Sequence, residues 1–341
     1  MADVTAMDPD AFFLSWQTAR LKNKDLKPMG PAGLTQTLLV WRQWLAFCAA
    51  PGVAWDAARS ADIAQFTQAI GPRSSVKKTS PVTLRRYWRV LRDLYAHALA
   101  MHLVGLNPAE GAQPAATERV PSLALSRPMW LALHEGLYEG VNEGSNGGQD
   151  FKARRNRLVL LLMMRAALTV AEIIGLTLAC AQPCAPSAGA PARSALVYTL
   201  RVRKAKSGHE RALLLDLETS RALHAWLQVR RIGLEQVNQD SRLIVGDRIG
   251  RSIAPNGLYN ICQAHLARCL VGKGLLAAPT PYSALDPGGL NHMGPNTLRN
   301  TCIAGWFNAG VPLQEIQRRC GFKDASVMSR LGAHLLTPFA R

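Results

Sequence analysis

Apolar positions along the first hundred residues recur at helical spacing. They predict helices over Phe12–Leu21, Leu34–Ala49 and Ala61–Ile70, the second with Leu34, Leu38, Trp41, Leu45 and Cys48 on one face. A basic loop, GPRSSVKKTS, follows and ends in Ser80-Pro81, an N-cap residue and the residue favoured at the first helical position. The helix it opens, VTLRRYWRVLRDLYAHALAMHLV, has an apolar seam of Leu84, Trp88, Leu91 and Tyr95. Arg85, Arg89 and Arg92 recur on another face with Arg86 beside them, close in sequence to Lys77 and Lys78. A helix-borne arginine row is either a solvated basic face or a clamp for backbone phosphates.

From Asn107 to Leu123 periodicity disappears into a Pro- and Ala-rich stretch, which reads as an interdomain linker. Ser126-Arg-Pro caps a new helix. A Gly/Asn-rich loop, NEGSNGGQD, precedes RNRLVLLLMMRAAL, a helix apolar enough to be buried, and CAQPCAPSAGAPARS reads as a surface loop. ALVYTLRVR and ERALLLD read as two strands joined by the basic hairpin KAKSGH. The remainder reads as helical except for the loop AAPTPYSALDPGGLNHMGP, and no internal repeat is present. The expected organisation is a helical domain over residues 1–106, a linker over 107–123 and a mainly α domain with a small antiparallel sheet over 124–341.

Composition narrows the partner. The 341 residues suffice for two cores, and Lys plus Arg exceed Asp plus Glu by 40 to 23, a net charge of +17. That excess predicts a polyanion: nucleic acid or an anionic surface. No uncharged apolar window is long enough to span a bilayer, so no membrane partner is expected, and the acidic start MADVTAMDPD lacks the pattern of a signal peptide. Seven cysteines form no CxxC pair, and Cys180 and Cys184 have no His/Cys pair to complete a zinc site, so reduced thiols in a cytoplasm are expected, with neither metal nor cofactor.

Three motifs in order then resemble the tyrosine recombinase (phage integrase) family over roughly residues 30–335. AALTVAEIIGL, Ala166–Leu176, is similar to the family's first box, approximately TGLR followed by a hydrophobic residue and SEL. The run Lys204-Ala-Lys206-Ser-Gly-His-Glu-Arg211 resembles its lysine hairpin, GKGxKxR. Asn296-Thr-Leu-Arg299-Asn300, then Ala309-Gly310-Val311, then Cys320-Gly321-Phe322 resemble the third, HxLRH with AG and LGH. The resemblance implies a helical, SAM-like core-binding domain and a catalytic-type domain that close as a C-shaped clamp on double-stranded DNA.

The resemblance also implies a reaction whose residues have departed. A tyrosine attacks a phosphodiester while two arginines hold the non-bridging oxygens and a lysine and histidines carry protons. At the corresponding positions stand Thr169 for the first arginine, Asn296 and Phe322 for the histidines, and Leu331, nine residues after Phe322, for the nucleophile. None of the tyrosines (Tyr87, Tyr95, Tyr138, Tyr198, Tyr259, Tyr282) follows Arg299. Lys206 and Arg299 are retained, and Arg165 lies four residues before Thr169 as a conceivable substitute. Losing one charge-stabilising donor costs about 10²–10³ in rate, and losing the nucleophile removes the pathway.

The expectation is therefore a DNA-binding protein, not an enzyme, associated with a bacterial nucleoid or plasmid. It would act in transcription, plasmid maintenance or as an accessory of a mobile element, with no catalytic residues and with Lys77, Lys78, Arg85, Arg86, Arg89, Arg92, Lys204, Lys206 and Arg299 on DNA. A homo-oligomer on DNA stays open, as does a recombinase subunit that uses an active recombinase or transposase partner or an unconventional nucleophile. The tail CGFKDASVMSR also resembles the second helix-turn-helix of AraC-type regulators, over about 25 residues.

Overall fold

The computed structural model describes residues 7–23, 29–70, 81–114, 122–139, 147–184, 196–203, 210–231, 238, 240–246, 250–278, 289–322 and 324–335. The chain divides into two compact units, Met1–Glu118 and Arg119–Arg341.

Unit one holds α1 (Pro9–Lys22), α2 (Pro31–Ala49), α3 (Ser60–Ala69) and α4 (Pro81–Ala100). Proline opens α1, α2 and α4, where its missing N–H is one the helix start cannot use. Their shared core is aromatic, built on Phe12, Trp16, Trp41, Trp44, Trp55, Phe66, Trp88 and Tyr95. Two of its polar groups are paired inside: the Trp44 indole N–H donates to the Tyr95 hydroxyl at 3.0 Å, which donates to the Trp55 carbonyl at 2.5 Å. The buried stripe of α2 is Thr37, Val40, Trp41, Trp44 and Cys48, while Leu34, Leu38 and Leu45 pack at its edge. The stripe is thus rotated from the expected face, because two indoles outweigh three leucines in area buried.

The segment expected as a linker is not uniform. Asn107 and Ala109 are buried in unit one. There the Asn107 amide donates to the Arg92 carbonyl at 3.0 Å, and the Trp88 indole donates to the Ala109 carbonyl at 2.6 Å. At the other end, within unit two, the Ser122 N–H donates to the Arg330 carbonyl at 2.9 Å and the Asn300 amide to the Leu123 carbonyl at 3.1 Å.

Unit two centres on α6 (Gly147–Met164), whose Leu158–Met164 run is buried on every side. Around it stand α5 (Arg127–Gly136), α7 (Val170–Gly175), α8 (Leu217–Arg231), α9 (Pro255–Leu266), α10 (Pro295–Asn308) and α11 (Leu313–Cys320). The sheet is three-stranded and antiparallel, in the order β1 (Ala181–Pro183), β2 (Tyr198–Arg203), β3 (Glu210–Leu214). β2 buries Tyr198, Leu200 and Val202 in strict alternation, with Leu200 opposite Leu213.

Local expectations change here. β1 lies in the stretch read as a surface loop; it is short, and its proline sits on an edge strand, where a lost donor is tolerated. Gly147–Asp150, read as loop, is the first turn of α6. Ser126 takes the N-cap position of α5, but its side chain makes no capping bond. Residues 241–246 and 250–253, read as helical, are not helical and form the bridges Thr177–Arg242 and Val245–Ser252. They are pinned by the buried Arg155, which donates to the Gly246 carbonyl at 2.6 Å. Among the described residues no helix is long and apolar enough to cross a membrane.

Candidate nucleic-acid interface

Thr169 is the N-cap of α7 in a reciprocal capping box. Its backbone N–H and hydroxyl both donate to one Glu172 carboxylate oxygen at 2.9 Å, and the Glu172 N–H returns to the hydroxyl at 3.3 Å. The other Glu172 oxygen accepts from Arg211 on β3 at 2.7 Å, with side chains only 4% and 8% exposed. Burial alone would raise the Glu172 carboxyl, but hydrogen bonds from Arg211 and Thr169 and the guanidinium charge more than offset it, and its pKa lies below the ordinary carboxylate value. The Arg211 Nε donates to the Arg319 carbonyl at 2.7 Å, so one side chain ties β3 to α7 and to the end of α11. Gly321 closes α11 at φ +62, and a Cβ there would also meet Arg211 Nη1 at 3.1 Å.

Beyond that turn, Phe322 stacks under the Arg299 guanidinium at 5.0 Å. The Arg299 Nε donates to the carbonyl of Ala167 at 2.7 Å. Ala167 is itself left-handed, at φ +50, where the family box has glycine. Leu331 lies on a ten-residue 3₁₀ helix, Ala325–His334, and is 3% exposed within an apolar cluster of Ala167, Cys302, Ile303, Ile316, Cys320 and Met328. The AraC-type reading needs an α-helix at this place. Arg165 turns the other way, to Glu218 at 2.5 Å and Asp216 at 3.8 Å.

Thr169 and Asn296, far apart in sequence, line one groove of about 510 Å³ with Asn256, Tyr259, His292 and Thr297. The starts of α9 and α10, Pro255 and Pro295, open on it, and among the described residues no acidic side chain lines it. Helix starts carry the positive end of the helix dipole, so the groove favours an anion although no arginine or lysine among the described residues lines it.

No protein-family model matches the sequence, and no curated protein matches it. Solved structures do. The chain superposes on the XerH site-specific recombinase bound to palindromic difH substrate in a post-cleavage complex, with TM-score 0.63 and 15% identity, covering 96% of this chain and 81% of that one. A lambda integrase dimer bound to a COC' core site matches with TM-score 0.60 and 12% identity over 94% of this chain and 76% of that one. The Tn1549 transposon integrase in complex with transposon right end DNA matches with TM-score 0.55 and 13% identity over 94% of each chain. The fold is that of the tyrosine recombinases.

Within the tyrosine recombinase fold, the residues named from sequence separate into groups. Thr169 and Asn296 share the groove, whereas Arg299, Phe322 and Leu331 are not part of its lining. Lys77, Lys78, Lys204 and Lys206 lie outside the described residues. On α4, Arg86 and Arg89 are exposed, while Arg85 is half-buried. Arg92 lies 5.1 Å over the Trp88 ring and 3.0 Å from Asp93, an exposed pair of little energetic weight. Sequence reasoning missed Glu172 as the organiser of the Thr169 turn, although Thr-x-x-Glu ahead of an apolar run is a readable capping signal. It also missed the meeting of Tyr259 with Gly294, for which the sequence holds no signal.

Proposed function

We propose that the protein binds duplex DNA and does not cut it, serving as a regulator or accessory factor of transcription, plasmid maintenance or a mobile element. The observation that carries this reading is the place of Leu331. Where the resemblance puts an attacking oxygen, a hydrocarbon side chain completes an apolar cluster and offers no atom that could attack a phosphodiester. Other nucleophiles nearby are poorly placed. Burial pushes the Cys320 thiol up to about 11 and raises Cys302 further, so neither forms a thiolate at neutral pH. The arginine that could replace the missing one, Arg165, is committed to two carboxylates.

Phosphate binding survives such losses, because it needs positive potential and donors and no proton transfer. Support comes from the net charge of +17, the exposed guanidinium groups of α4 and a groove that no acidic side chain among the described residues lines. DNA in complex with each of the three solved structures agrees in kind. The reading is tested by gel mobility shift over a range of salt, with duplexes selected from random DNA. The Arg85/Arg89/Arg92 triple alanine variant is expected to bind more weakly, with a log–log salt slope shallower by up to about 3, about one per lost phosphate contact. An unchanged slope would remove α4 from the interface.

A further inference from the structure

Among the described residues Tyr259 is the one tyrosine in the groove lining. The residue is 41% exposed on α9, yet its ring is not loose. Its ring lies against Gly294, where a Cβ would come within 2.9 Å of a ring carbon, so the residue ahead of α10 must be glycine for the ring to seat. Its hydroxyl oxygen accepts from the Gln263 amide at 3.0 Å. That amide is itself fixed by the carbonyls of Leu290, at 3.2 Å, and Met293. The hydroxyl thus accepts from Gln263, and among the described residues its proton makes no hydrogen bond of its own.

From this geometry we infer that Tyr259 is a DNA-backbone ligand: its hydroxyl donates a hydrogen bond to a non-bridging phosphate oxygen seated between Thr169 and Asn296. The inference rests on the DNA-binding reading above and gives its groove a specific contact. A phosphate is favoured over a base edge because the starts of α9 and α10 open on the same space and no carboxylate among the described residues lines it. A base edge has no need of a positive environment. A neutral, pre-oriented donor also suits a groove that has Thr169 and Asn296 where charged groups stand in the resembling family. Tyr259 stays a ligand, not a nucleophile, because no base lies within hydrogen-bonding reach of its hydroxyl among the described residues and its nearest polar neighbour, Gln263, donates to it.

The test is Tyr259→Phe, which keeps the ring on Gly294 and removes only the hydroxyl, measured by mobility shift on several duplexes of unrelated sequence and at several salt concentrations. The expected result is a loss of affinity of about three- to ten-fold, the value of one hydrogen bond, equal on every duplex. The salt slope should be unchanged, because a neutral donor releases no counterion. Unchanged affinity, or a loss confined to particular sequences, overturns the assignment, the latter in favour of base contact. A covalent Tyr259–DNA adduct also overturns it, in favour of a nucleophile. Wild-type protein that binds no duplex overturns the DNA reading itself and this contact with it, whereas normal wild-type binding with an unimpaired variant overturns the contact alone.

Discussion

Replacing Arg211 by methionine is expected to destabilise unit two by about 3–5 kcal/mol, because it leaves the Glu172 carboxylate buried without its counter-charge. The pair is 92–96% enclosed, and Arg211 also holds the Arg319 carbonyl, so the loss reaches α7, β3 and the end of α11 together. Adding Glu172→Gln to the variant should recover much of the loss, since the larger part of it is the cost of an unpaired charge. Denaturant unfolding followed by circular dichroism reads both. The sign with pH follows from Glu172. Its folded pKa lies below the ordinary value of 4.5, so the pair's contribution is full above that value and disappears as pH falls through the folded one. Equal stability of wild type and Arg211→Met at neutral pH would show that the pair organises nothing.

Acid should weaken unit two well before its carboxylates are protonated. His265 is 4% exposed, and burial is the main cause that lowers its pKa from 6.5 to about 4. Its Nε2–H donates to the Leu133 carbonyl at 3.0 Å, and its Nδ1 accepts from Arg268 at 3.2 Å, an arrangement only the neutral ring can make. Between those two pH values the unfolded chain binds a proton that the folded chain refuses, so stability falls as pH falls. Across the whole window the loss from this residue is about 3 kcal/mol. His265→Gln is expected to have a flatter stability profile from pH 6.5 to 4 than wild type. Parallel profiles would place the acid sensitivity elsewhere.

How much of this was legible in the sequence depends on the range of the forces involved. Helices with proline at their first position and strong apolar periodicity, such as α2 and α4, were readable because their signals are local. So were β2 and β3, whose apolar residues alternate. β1 was not, because three residues with a proline carry no period; only pairing with β2 makes them a strand. The α2 stripe was offset because spacing alone does not weigh an indole against a leucine. Motif order led to the fold, and it named Thr169, Asn296, Arg299 and Leu331 as positions that matter. It could not show that Thr169 and Asn296 face one groove while Leu331 joins a core, since that sorting is set by contacts between α7, α9, α10 and the 3₁₀ helix. The strained Ala167 is a similar case. Alanine in a box that elsewhere has glycine reads as a harmless change, and only the backbone reveals a left-handed residue held by its buried surroundings.

The central claim is that this tyrosine-recombinase-like chain holds DNA without forming a covalent bond to it. The most direct measurement is a denaturing gel of wild type and Leu331→Tyr, each incubated with selected duplex, intact and nicked, beside a native gel of the same mixtures. Leu331→Tyr alone should fail to restore cleavage, because nucleophile, charge clamp and proton carriers act as a unit and Thr169, Asn296 and Phe322 would still be in place. Both proteins are expected to give retarded complexes on the native gel and no band of protein-linked DNA on the denaturing one. A covalent band from the wild type would contradict the claim outright.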